Sequence, residues 1–167
     1  MGLLQMFRRR MERRKVRTAF GDYLSPEVIR RLLTRPDLVE PAVKHFQFVV
    51  ILIDDVDSRQ ISTLMSGLVG TLFEHKATVS RLSPSLIVGL FGVPFPDGNW
   101  PEARRAAVEA LLRGRDLRIR IAHGECDALV GNLGGPLRYT YDAAIPGFLG
   151  ILKRLLEAEP GSAFEVA

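Results

Sequence analysis

Apolar positions in this chain switch between three spacings, and the switches mark out its elements. Phe46 to Ile53 (FQFVVILI) is a short, almost unbroken apolar run rich in β-branched residues, which predicts a central strand buried on both faces. From Ser58 to Phe73 the apolar residues fall at Ile61, Leu64, Met65, Leu68 and Leu72, the spacing of a helix. Ala77 to Leu82 and Leu86 to Phe91 read as two strands joined by Ser83-Pro84-Ser85 in a hairpin-like pair. Val93 to Trp100 is a loop, and Pro101 opens a helix to about Arg113. Leu117 to Gly124 reads as a strand, with Cys126 to Val130 as a second strand paired to it. Gly131 to Pro136 is a turn. A helix is expected from Ile145 to Ala158 and a short last strand from Ala163 to Val166.

Two helices precede this series. Met1 to Phe20 contains no proline and sets Met, Leu, Phe and Val between arginines. Ser25-Pro26-Glu27 is a helix start, with an N-cap, a proline in the first turn and an acid at the positive dipole end; that helix should stop before Pro36. The order β-α-β-β-α-β-β-α-β then predicts an α/β (α+β) protein with a ferredoxin-like split βαβ core. No internal repeat or low-complexity segment interrupts it.

Composition separates an arm from a body. The 167 residues suffice for one domain with a core, and an apolar fraction of 47% predicts a folded one. Residues 1–17 carry seven basic groups against Glu12, a balance of +6, whereas the remainder has 16 basic and 18 acidic groups. We divide the chain into a basic arm, residues 1–19, and a body, residues 20–167. The arginines Arg8, Arg9, Arg10, Arg13 and Arg14 suit an anionic partner such as lipid head groups, nucleic acid or an acidic protein face. No apolar run approaches the ~20 residues of a membrane span, and the N-terminus lacks the layout of a signal peptide. Cys126 is the only cysteine, so no intrachain disulfide forms, which fits a reducing cytosol.

The local spellings, taken in order, resemble the class III adenylyl and guanylyl cyclase homology domain. Phe20 to Val28 (FGDYLSPEV) resembles the opening segment of bacterial members. Val50 to Val56 (VILIDDV) resembles the first strand with its metal-binding aspartate. Leu90 to Pro94 (LFGVP) resembles the end of the β2–β3 hairpin, and Arg118 to Glu125 (RIRIAHGE) with Val130 to Gly134 (VGNLG) resembles the strands before the active-site helix. The likeness spans roughly residues 18–157.

The resemblance implies two-metal chemistry, in which two aspartates hold both ions. Asp55 matches the first aspartate. The second falls on Ser85, with Pro84 where a glycine usually precedes it; a hydroxyl is a poor substitute for a carboxylate toward hard cations. The base-reading lysine falls on Arg81 and the second base-reading position on Pro146. The ribose-orienting asparagine falls on Leu149 and the transition-state arginine on Lys153. Sliding the later alignment by two residues gives Ala144, Gly147 and Ile151, which fit worse. The stretch from Asp55 to Ser85 is also shorter than the family's, and little follows Ala158 where such domains add a helix and a strand pair. These departures describe a reduced, degenerate member with no intact catalytic set.

Plainer readings stand beside these. Asp57 or Ser58 can cap the next helix, with Asp54 and Asp55 solvated at a strand end. His45, His75 and His123 have no spacing of a ligand set, and Gly131 to Pro136 matches no phosphate-binding fingerprint. The arginine arm can be a solvated face, an interfacial helix or a signalling helix.

The expected function is that of a catalytically silent cyclase-like module acting by dimerisation or by binding a signalling partner, with Phe148, Leu149 and Leu152 at the interface. No cofactor is expected, with Mg2+ or Mn2+ only alongside residual nucleotide binding. Two alternatives stand: an active cyclase completed by a partner chain, and a membrane-surface or nucleic-acid binder acting through residues 1–17, with nucleic acid the less favoured of those ligands. The expected location is cytoplasmic, with the arm able to meet the inner face of the membrane.

Overall fold

A computed structural model describes residues 26–54, 57–114, 118–133 and 141–167. The elements are α1 (Pro26–Thr34), a 3-10 turn (Pro36–Val39), β1 (Ala42–Ile53), α2 (Ser58–Glu74), β2 (Thr78–Ser83) and β3 (Leu86–Phe91). There follow α3 (Trp100–Arg113), β4 (Ile119–Asn132), β5 (Tyr141–Ala143), α4 (Phe148–Glu157) and β6 (Ala163–Val166). The expected helix Met1 to Phe20 and the capping Ser25 lie outside the described residues.

Strand order is β2-β3-β1-β4-β5, with β6 also on β4. All pairings are antiparallel except β4–β6. The segment β1-α2-β2-β3-α3-β4 therefore forms the split βαβ core that the pattern predicts, in a mixed α/β architecture.

Side chains alternate across a strand, so the apolar run of β1 feeds two cores. Val49, Ile51 and Ile53 pack with Leu64, Leu68 and Leu72 of α2 and with Ala107, Val108 and Leu111 of α3. Phe46, Phe48 and Val50 pack on the other face with Leu32 of α1 and with Ile151 and Leu155 of α4. Burial on both faces is why this run lacks polar alternation.

Two boundaries differ from the sequence expectation. Residues 119–130 are not a pair of strands: β4 is one strand, matched residue for residue to β1 from Ile119 opposite Ile53 to Val130 opposite Ala42, and Leu117 lies outside the described residues. Gly124, Glu125 and Asp127 look like breakers in sequence. Here Glu125 and Asp127 are exposed at alternating positions of a continuous strand. The short partner expected beside it is instead β5, with Tyr141 opposite Asn132. The later helix begins at Phe148 rather than Ile145. Ile145 precedes Pro146, and a residue before proline is sterically driven out of the helical region.

Candidate functional site

The site implied by the resemblance lies where β1 ends beside the β2–β3 turn. The Ile53 N–H donates to the Ser85 carbonyl at 2.9 Å, and the Asp54 N–H donates to the Arg118 carbonyl at 2.7 Å. Those two bonds draw together the end of β1, the hairpin tip and the start of β4. Arg120 lies opposite Leu52 on β4, and its guanidinium donates to the Asp54 carboxylate in a largely buried ion pair. Asp57 caps α2: its carboxylate accepts from the Arg59 N–H at 3.0 Å, which is the plain reading of that residue. Arg118 donates to the Gln60 side chain at 2.6 Å.

Asp55 lies outside the described residues. Ser85 is exposed at the hairpin tip, and the Arg81 backbone pairs with Val88 beside a register shift in β2. Pro146 is exposed in the turn before α4. On α4, Ile151 and Leu155 point into the core, while Leu149 is 82% exposed and Lys153 is exposed. Phe148 and Leu152 are half-buried against the core. Leu149 and Lys153 therefore face solvent.

A divalent cation needs several oxygen ligands, mostly anionic. At this sheet end the hairpin tip supplies a neutral hydroxyl, and the Asp54 charge is already met by Arg120. Among the described residues no three of His, Cys, Asp and Glu converge as metal ligands. Asp55, the carboxylate that the resemblance assigns to the ions, is not among those residues. Arg120 was missed in sequence; the signal was Arg118-x-Arg120 within an apolar strand, two arginines on one face at a carboxylate-bearing strand end.

A second polar cluster went unread. Arg104 of α3 is 7% exposed and donates to Glu165 of β6 at 2.7 Å. Its Nε and Nη1 have no partner, and neither have the Gln47 Oε1 and His123 Nδ1 atoms, which are likewise buried. Burial holds the His123 pKa below its ordinary value, and the Arg104 charge adds to this while Glu165 opposes it. Residues 104, 107, 108 and 111 form one stripe at helical spacing, so Arg104 was legible as buried. The Cys126 thiol is pushed up to about 11, chiefly by burial and then by Asp127, and stays protonated at neutral pH. A groove of about 680 Å³ lined by Phe73, Phe95 and Trp100 opens near Thr78, whose partner Leu90 lies opposite Phe48, well down β1 from Asp54.

No family model and no curated protein matches the sequence. Solved structures do match. The guanylyl cyclase Cya2 aligns with a TM-score of 0.60 at 14% identity, over 74% of this chain and 75% of that one. The catalytic core of a rhodopsin-guanylyl cyclase with converted specificity, in complex with ATPαS, aligns with a TM-score of 0.61 at 11% identity, over 75% and 79%. The adenylyl cyclase CyaB from P. aeruginosa gives 0.51 at 13%, over 74% and 78%. The architecture thus falls in the class of split βαβ sheets with helices on both faces. More narrowly, it is the catalytic-domain fold of the class III nucleotidyl cyclases.

Proposed function

We propose that this chain is a cyclase-fold module that does not cyclise nucleotides and works by pairing with another chain. The observation that carries this is at the sheet end: Ser85 stands exposed at the hairpin tip where the resemblance implies the second metal-binding carboxylate. Loss of one oriented charge contact at a reacting centre commonly lowers turnover by ~10²-fold or more, and several are replaced here. With ATP or GTP and Mn2+, the purified chain is expected to give no cyclic product above a buffer control. Product abolished by Asp55→Ala would establish an active cyclase instead. Product appearing only on adding a second cyclase chain would favour an active cyclase completed by a partner.

The paired surface in this reading is α4. Leu149 and Leu156 are 82% and 67% exposed, two helical turns apart on one stripe, with Leu152 half-buried between them. Exposed leucines so aligned favour contact with a second copy or with a cyclase-like signalling chain. Light scattering across a concentration series is expected to show a dimer that Leu149→Glu weakens. A monomer at high micromolar concentration would reject self-association, and a dimer indifferent to Leu149→Glu would place the interface elsewhere. No helix among the described residues is long and apolar enough to cross a membrane. In this reading the module acts in the cytoplasm and needs no cofactor, and any lipid contact is peripheral and runs through the arm.

A further inference from the structure

The first residues of β1 and the last of β4 form a two-stranded foot that is covered on one side only. Phe46, Ala128 and Val130 are buried on the face shared with α4. On the other face, Val43 opposite Leu129 are 72% and 41% exposed, and His45 opposite Asp127 follow. Glu125 comes next, opposite Gln47, and Leu133 is 38% exposed beyond Leu129. This is an apolar and acidic sheet surface on which neither α2 nor α3 lies.

Asp37, Glu102 and Glu109 are each bound by an arginine within four residues. Among the described residues, Glu125 and Asp127 meet Gln47 and His45. Among the described residues the face thus offers two carboxylates without a permanent counter-charge, beside an exposed valine and leucine.

We propose that the basic arm, residues 1–17, docks on this foot of its own domain. The arm carries the complementary chemistry: seven basic groups against one acid, with Leu3, Leu4, Met6, Phe7 and Met11 among them. Eight residues, 18–25, separate the arm from Pro26 in sequence, a length that spans at most about 27 Å. The nine residues of α1 span only about 13 Å and lead through the 3-10 turn into β1 at Ala42, where the foot begins. A short tether holds the arm at an effective concentration on the order of millimolar, so individually weak exposed contacts suffice.

Lys15 is the single lysine of the arm, which gives a direct test. Full-length chain labelled with 15N is mixed with unlabelled chain and treated with a carbodiimide, which condenses amine and carboxylate only in contact. The expected product joins Lys15 to Asp127 or Glu125 within one isotope class. Its yield should fall on the order of tenfold between about 0.1 M and about 1 M salt, as the screening length contracts from about 10 Å to about 3 Å. Asp127→Asn should leave the fold in place, because Asp127 is exposed and among the described residues meets His45 on the surface, and it should cut the yield further. Independently, the methyl resonances of Val43 and Leu129 should move when Arg8, Arg9 and Arg10 are replaced by glutamate, while those of buried Leu155 stay in place. Mixed-isotope cross-links would overturn the proposal by placing the arm on a second copy. An absent cross-link with unmoved methyls would overturn it too, and binding of the arm to anionic vesicles in that case would assign it to lipid.

Discussion

Replacing Phe48 with alanine should lower the unfolding free energy by about 3–5 kcal/mol, the cost of emptying a large buried aromatic site. Phe48 is 1% exposed on the strand that supplies both cores. It lies opposite Gly124, and the pair is matched in size. A Cβ on Gly124 would stand 3.1 Å from the Phe48 ring and 2.7 Å from the Val166 carbonyl oxygen of β6. Gly124→Ala should therefore cost about 1–3 kcal/mol by overpacking. The two changes are coupled but not complementary. Removing the ring relieves one clash and leaves the other, since a paired strand's carbonyl cannot turn aside like a side-chain tip. In a denaturant-melt double-mutant cycle, Gly124→Ala should cost less in the Phe48→Ala background than alone, yet still cost something. Equal costs in both backgrounds would assign the whole penalty to β6. In that case hydrogen exchange should show Val166 and its neighbours opening first.

How much of this was readable in sequence depends on what each residue had to satisfy. β1 was legible because burial on both faces leaves an unbroken apolar run, and α2 because Leu64, Leu68 and Leu72 repeat at helical spacing. The β2–β3 hairpin was legible from Pro84-Ser85 between two apolar runs. The continuity of β4 was not, because it comes from twelve cross-strand pairings to β1, a long-range fact, while Gly124 and two acids looked locally like a break. The place of Ser85 at the hairpin tip was legible from the hairpin pattern. The charge that meets Asp54 was not: Arg120 lies 66 residues away and reaches Asp54 only through the β1–β4 register. The outward direction of Leu149 and Lys153 was not legible. The helix turns Ile151 and Leu155 inward and those two outward. Alternation and helical spacing thus report which face a residue takes, and register decides which polar groups meet there.

The Arg104 cluster should give opposite results when its two partners are removed in turn. Arg104 is a buried permanent charge with two of its three nitrogens unpartnered among the described residues, where Glu165 is its one carboxylate, itself 61% exposed. Glu165→Gln removes the counter-charge and strands the guanidinium, at an expected cost of about 1–3 kcal/mol, reduced from the fully buried case by the solvent around Glu165. Arg104→Met removes the charge and keeps most of the hydrocarbon volume, so stability should be unchanged or raised by about 1–3 kcal/mol. A loss of stability in Arg104→Met matching that in Glu165→Gln would show that the ion pair itself outweighs the desolvation. The pH dependence supplies a second readout. Because the folded state holds the His123 pKa below its unfolded value, the unfolded chain takes up the proton first. The stability tied to His123 is therefore present above about pH 6.5 and lost as pH falls from there through the folded pKa. Arg104→Met removes one of the two causes of that depression and should make the acid-side loss shallower. Glu165→Gln removes the group that opposes it and should make the loss steeper. Melts in urea between pH 5 and 8 measure both slopes, and identical slopes in the two variants would detach His123 from the cluster.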